Sequence, residues 1–163
     1  MAQEFSFDVV SKPNMQELDN AIVMALKEIT TRFDFKGSIS SIKHENDVLH
    51  LVSDDEFKLK TVIDILQGKL VKRGISLKFL EYGKVENSLG GGSKQDAKIK
   101  SGIPQEIAKK INIMIRDSGL KVRSLIQGDQ LRVSSKAKDD LQGIIQMLKS
   151  ADLPIELQFT NYR

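Results

Sequence analysis

The chain has 163 residues, 25 Lys/Arg against 22 Asp/Glu, a formal net charge of +3 and no cysteine. Disulfides and thiolate metal sites are excluded, and a reducing compartment is the natural setting. No apolar run approaches the roughly 20 residues of a membrane span, and Met1 to Phe7 carries no basic-then-apolar leader, so a cytoplasmic protein is expected.

Ser6-Phe7-Asp8-Val9-Val10 alternates and predicts a short strand, closed by Pro13. Asn14-Met15-Gln16-Glu17 has the spacing of a capping box, and a helix follows to about Thr31 with Leu18, Ile22, Ala25, Leu26 and Ile29 on one face. Arg32-Phe33-Asp34-Phe35-Lys36 turns toward an extended segment, and Gly37 lets the backbone bend. A strand follows, with Ile39, Ser41 and Lys43 on one side. It reverses at Glu45-Asn46-Asp47 and returns through Val48 to Val52. Ser53-Asp54-Asp55-Glu56 reads as a second capping box, opening a helix from Asp54 to Arg73 that Gly74 ends with a left-handed cap. Ile75, Leu77 and Phe79 alternate as a closing strand. Periodicity then breaks over residues 83–95, where Gly90-Gly91-Gly92-Ser93 reads as a flexible tether. Beyond it the spacing predicts a strand at Ala97 to Lys100 and a helix from Pro104 to Ser118. A hairpin of Lys121 to Ile126 and Leu131 to Ser134 turns at Gly128-Asp129. A helix from Ala137 to Ser150 and a closing strand through Ile155, Leu157 and Phe159 complete the chain.

One pattern is written twice. Leu49, Leu51, Leu59, Val62, Ile63 and Leu66 are matched apolar for apolar, at one constant offset, by Leu131, Val133, Leu141, Ile144, Ile145 and Leu148. The chain is thus expected to be α+β, two tandem ferredoxin-like (βαββαβ) domains, each a four-stranded antiparallel sheet with two helices on one face. The expected boundaries are 1–83 for the first copy, 84–95 for a glycine-rich linker and 96–163 for the second. Residues 1–83 hold 11 Lys/Arg against 13 Asp/Glu, and residues 84–163 hold 14 against 9, so the second copy is the basic one. That bias fits contact with phosphates and fits equally a solvated surface.

Catalysis has no candidate residue. Histidine occurs only at His44 and His50, which flank one hairpin, and exposed strand positions explain them better than a metal site. Asp54-Asp55 and Asp139-Asp140 sit in helix first turns, where carboxylates favour the dipole. The glycine run lacks the spacing of a phosphate loop, and no cofactor fingerprint is present, so neither metal nor cofactor is expected. Ferredoxin-like sheets do form single-strand RNA platforms, in which aromatics on central strands stack on bases. Phe5 and Phe7 could stand on an outward strand, whereas the returning strands at 48–53 and 131–135 carry no aromatic. Lys98, Lys100, Lys121, Arg123 and Arg132 lie at alternate strand positions, suited to phosphate contacts or to a plain charged face. In Thr30-Thr31-Arg32-Phe33-Asp34-Phe35-Lys36-Gly37, an extended backbone would set Arg32 and Lys36 over an aromatic floor of Phe33 and Phe35, ready for an anion. The same string could instead be phenylalanine packing plus an Arg32–Asp34 pair.

Ser6-Phe7-Asp8-Val9-Val10-Ser11, the string at 30–37, Leu70-Val71-Lys72-Arg73-Gly74-Ile75, Ile107-Ala108-Lys109-Lys110-Ile111, Ile126-Gln127-Gly128 and Asp139-Asp140-Leu141-Gln142 together resemble the bacterial YajQ family. The resemblance implies tandem RNP-like domains with exchanged N-terminal strands, so that the strand at 5–11 would join the sheet of the second copy. It also implies a cytosolic nucleotide-binding protein whose partners are purine nucleotides (GTP or ATP), RNA or cyclic di-GMP. The first expectation is therefore a non-enzymatic binder of purine nucleotide or RNA through phosphate contacts. The alternatives are a cyclic di-GMP effector that regulates a protein or DNA partner, and a scaffold whose open sheet faces bind proteins.

Overall fold

The computed structural model describes residues 3–88 and 90–163. Strand β1 (Phe5–Val10) leads into α1 (Met15–Thr31), a 3-10 turn at Phe33–Phe35, the hairpin of β2 (Ser41–Glu45) and β3 (Val48–Ser53), and α2 (Glu56–Lys72). The short β4 (Leu80–Tyr82) and β5 (Glu86–Asn87) precede β6 (Ser93–Ile99) and α3 (Gln105–Asp117). The hairpin of β7 (Arg123–Gln127) and β8 (Gln130–Ser135), α4 (Lys138–Ser150) and β9 (Gln158–Thr160) follow.

Local chemistry sets these limits. The Asn14 side chain accepts the Glu17 backbone N–H at 3.1 Å and caps α1, while the Glu17 carboxylate takes Asn20 and Arg73 instead of closing a box. At α2 the cap is Asp55, which accepts from the Lys58 N–H at 2.7 Å. Ser53, expected in that role, is buried and hydrogen-bonded to the Ser40 hydroxyl. Gly74 at φ 78° ends α2, and the Ile75 N–H returns to the Leu70 carbonyl at 2.9 Å. The β2–β3 reversal takes only Asn46 and Asp47, with Asn46 at φ 53°, a left-handed angle that asparagine tolerates.

The chain divides into two compact units. The middle unit is Pro13–Lys100, with strand order β2-β3-β6-β4 and β5 along β6. The terminal unit joins the residues up to Lys12 with Ser101–Arg163, in the order β7-β8-β1-β9. Each sheet is antiparallel and packs its two helices on one face, so each unit is ferredoxin-like. The strand beside the returning hairpin strand is β6 in one unit and β1 in the other.

This division corrects the boundaries expected from periodicity. Residues 84–95 are not a linker, since Glu86–Asn87 pairs with β6 and Ser93–Gln95 opens β6 itself. β6, expected to open the second copy, is an interior strand of the other sheet, between β3 and β4. Lys94, Asp96 and Lys98 on one face of Ser93–Ile99, and Gln95 on the other, hide its strand character, while Ala97 and Ile99 are buried. The closing strands also start later than expected. Leu77–Phe79 is a 3-10 turn ahead of β4, and only Gln158–Thr160 pairs as β9. The charge bias disappears with the boundary: the terminal unit holds 11 Lys/Arg against 9 Asp/Glu, the middle unit 14 against 13.

Each unit has its own core. Leu18, Ala25, Leu49, Leu51, Leu66 and Leu70 are among those filling the middle one. Phe7, Val9, Ile111, Leu131, Val133 and Ile144 belong to the terminal one. Gly92 is likewise structural, at φ 104°, where an added Cβ would stand 2.7 Å from the Ser53 carbonyl oxygen. Gly92→Ala is expected to lower the unfolding free energy by about 1–3 kcal/mol, measured by urea titration; a mobile tether would show no change.

Candidate functional site

The expected site residues fall into both units. Arg32, Lys36, Phe33, Phe35, Lys98 and Lys100 belong to the middle unit, and Lys121, Arg123, Arg132, Phe5 and Phe7 to the terminal unit. The string at 30–37 is not extended, because Phe33–Phe35 forms a 3-10 turn. Phe35 is therefore buried and Phe33 is 89% exposed, so they form no common floor. Arg32 donates from Nε and Nη2 to the Asp34 carboxylate, both at 2.9 Å, lies 3.7 Å from Glu28, and covers the Phe35 ring at 5.6 Å. Its hydrogen bond holds the Asp34 carboxyl below the usual value. Lys98 stands on the helix-free face of its sheet, in register with Val48 and Glu81. The Lys100 backbone N–H bonds the Phe79 carbonyl at 2.7 Å. His44 faces the helices and meets Asp19 at 2.7 Å, whereas His50 on the opposite face meets Asp96 at 2.7 Å. Among the described residues no group of three His, Asp or Glu could hold a metal ion, and no helix is long and apolar enough to cross a membrane.

Strand register sorts the terminal unit into two faces. The helix-free face carries Arg123 and Leu125 of β7, Arg132 and Ser134 of β8, and Ser6 and Asp8 of β1. With Glu4, Arg123 and Arg132 line a groove of about 490 Å³. Both arginines already hold carboxylates: Arg123 meets Glu4 at 3.0 Å, and Arg132 Nε donates to Asp8 at 3.0 Å. Lys121 is exposed at the approach to β7. Asp8 is only 5% exposed and also accepts from Asn161 Nδ2 at 2.9 Å. Burial alone would raise its pKa, but the hydrogen bonds from Arg132 and Asn161 and the charges of Arg132 and Arg163 outweigh that and hold it below the ordinary value. The carboxylate contributes fully to stability above its unfolded pKa of about 3.9, and the contribution is lost as pH falls through the lower folded value. Wild type is expected to lose more stability than Asp8→Asn as pH falls from 5 to 2 in thermal melts; parallel losses would refute this.

Phe5 and Phe7, placed outward in one reading of the sequence, face the helices. Phe7 is 1% exposed in the core and Phe5 packs against it, because Phe7 pairs with inward Val133 and Phe5 with inward Ser135. Beside them lies a second cavity, of about 470 Å³, made by the edge of β1, the first turns of α4 and the segment after β9. A β-bulge builds its wall. Asp8 pairs with Thr160, and Ser6 exchanges backbone hydrogen bonds with Arg163 at 2.9 and 3.2 Å, so Asn161 and Tyr162 both stand opposite Phe7. Asn161 takes the left-handed position at φ 56°. Tyr162 is thereby turned to the helix side, its ring 6.1 Å from that of Phe7 and 62% exposed.

Lys138, Leu141, Gln142 and Ile145 reach the cavity from α4 at i, i+3, i+4 and i+7, a single helix face. Lys138 Nζ lies 4.8 Å from the Phe5 ring centroid. Lys138 has no carboxylate partner among the described residues, whereas Arg163, paired with Ser6, belongs to the helix-free face, where its charge acts on Asp8. The cavity thus combines an apolar floor, an open aromatic ring, one cation free of ion pairs, Lys138, and the amides of Gln3 and Gln142. Lys138, Gln142, Tyr162 and Arg163 were not singled out from the sequence. The helical spacing of the first two was legible, but nothing local links them to Tyr162.

Both units are thus ferredoxin-like, of RNP-like build, and the terminal one carries a small cavity with an aromatic wall and a cation. The family model described as "Nucleotide-binding protein YajQ-like" matches residues 5–163, and the chain belongs to the YajQ family. It is 56% identical over 158 residues to a nucleotide-binding protein of Geotalea uraniireducens, covering 97% of this chain and 98% of that one. Proteins of the same description from Alkaliphilus oremlandii, 53% identical, and Heliobacterium modesticaldum, 54% identical, match the whole chain over 100% and 99% of their own lengths.

Proposed function

We propose that the chain is a non-enzymatic nucleotide-binding protein and that the cavity of the terminal unit takes one purine nucleotide, free or at the end of an RNA. The observation that carries this is the union of the open Tyr162 ring with Lys138 in a space of about 470 Å³. That volume lies within the range of about 300–1,000 Å³ common for small-molecule sites. The base stacks on Tyr162, the phosphates meet Lys138, and Gln3 and Gln142 offer hydrogen bonds to the base edge. The Phe5 ring is already covered by Lys138, so it supports the cation rather than the base. The relatives' description as nucleotide-binding proteins points the same way. The helix-free face ranks second, because its arginines must first give up Glu4 and Asp8.

Calorimetry with ATP, GTP, cyclic di-GMP and a short RNA tests the reading. One-to-one binding of a purine nucleotide is expected. For RNA, one neutralised phosphate gives a slope of log K against log salt of about −0.7. A slope near −5 would implicate instead all seven strand and loop cations singled out from the sequence. Tight binding of cyclic di-GMP alone would favour a signalling effector, and no binding at all a protein scaffold; either result overturns the proposal.

A further inference from the structure

The helix-free face of the terminal sheet contains a group that the nucleotide cavity does not touch. Asp8 sits at its centre, its carboxylate shared between Arg132 on β8 and Asn161 in the bulge after β9. Asn161 is one of two non-glycine residues with positive φ among those described, and it is the residue that lets the bulge form. The residue after it, Tyr162, is the aromatic wall of the cavity on the other face. From these contacts we infer that Asp8 is a positioning residue for the nucleotide cavity. Through its hydrogen bond to Asn161, it holds the bulge in the register that turns Tyr162 over the cavity. The inference rests on the nucleotide reading for its ligand, but not for its geometry.

Asparagine at a left-handed angle is tolerated rather than preferred, and a short closing strand near a chain end frays easily. Only Asp8–Val10 pairs with Gln158–Thr160, so the segment beyond depends on the Ser6–Arg163 backbone pair and on the Asp8–Asn161 side-chain bond. Without the latter, the two residues opposite Phe7 can exchange places, and a one-residue slip carries Tyr162 to the other face. The aromatic wall of the cavity is thus specified from across the sheet.

The test uses the full chain in a Tyr82→Phe background. The protein has two tyrosines and no tryptophan, so Tyr162 then becomes its only strongly fluorescent residue. Asp8→Ala and Asn161→Gly are each expected to lower Tyr162 fluorescence anisotropy and to weaken GTP and ATP binding at least tenfold. Asn161→Gly keeps the left-handed backbone and leaves Asp8 paired with Arg132, so it remains informative if Asp8→Ala fails to fold. Arg132→Ala, which keeps the Asp8–Asn161 bond, is expected to leave both readouts within twofold. Unchanged anisotropy in Asn161→Gly would overturn the inference, as would an Arg132→Ala loss equal to that of Asp8→Ala. If the parent binds neither GTP nor ATP, the nucleotide reading fails while the anisotropy still decides whether Asp8 positions Tyr162.

Discussion

A fragment of residues 96–163, cut where periodicity breaks, is expected to be unfolded, whereas residues 13–100 are expected to fold alone. The short fragment lacks β1, which lies between β8 and β9 and pairs with β8 over five residues. Its loss uncovers two strand edges and removes Phe7 and Val9 from the core. At about 1.5–3 kcal/mol for each large apolar side chain, together with the lost ladder, the deficit consumes most of a typical domain stability of about 5–15 kcal/mol. Residues 13–100 contain every strand of their own sheet, β6 included. Adding a peptide of residues 3–12 to the short fragment is expected to restore β structure by strand complementation. Circular dichroism with urea titration reads both outcomes. Cooperative unfolding of 96–163 by itself would contradict the pairing of β1 with β8.

Tyr162→Ala is expected to weaken nucleotide binding by about 5- to 150-fold, the equivalent of the roughly 1–3 kcal/mol that base stacking on an aromatic contributes. Lys138→Ala is expected to cost about 10- to 150-fold, since a hydrogen bond to a charged group is worth about 1.5–3 kcal/mol. Both residues line the same cavity, so their effects should couple rather than add. The control is a Lys121→Ala, Arg123→Ala, Arg132→Ala variant, which strips cations from the other side of the sheet and its approach and should lose much less. The reverse ranking in calorimetry would move the site to the helix-free face. Tyr162 is 62% exposed and Lys138 lies at the surface, so neither change should lower the melting temperature appreciably.

Much of the fold is visible in short stretches of sequence. The repeated apolar pattern locates α2, α4 and the two returning strands, and the Asn14 cap, the Gly74 stop and the two-residue turn at Asn46-Asp47 stand where local chemistry puts them. The readings that failed depended on contacts distant in sequence. Arg32 to Lys36 alternates like a strand, but no strand lies beside it, and Arg32 and Asp34 close on each other across a 3-10 turn. Phe5 and Phe7 have the spacing of an exposed stacking pair, and only their register against Ser135 and Val133 shows which way they face. Glycines 90–92 read as a tether until Gly92 is seen against the Ser53 carbonyl.

The sequence by itself determined two apolar cores, the order of helices and hairpins, and the residues that start and stop them, because caps, turns and periodicities are written within a few residues of where they act. Only the tertiary structure decided which sheet β1 and β6 enter and which face of β1 is covered. It also decided where the bulge at Asn161 sends Tyr162. Alternation tells a strand which of its faces is apolar but not which neighbour it will pair with. That choice is made by register and core complementarity between segments distant in sequence, as between Phe7 and Val133, and the cavity beside Tyr162 is assembled from such segments.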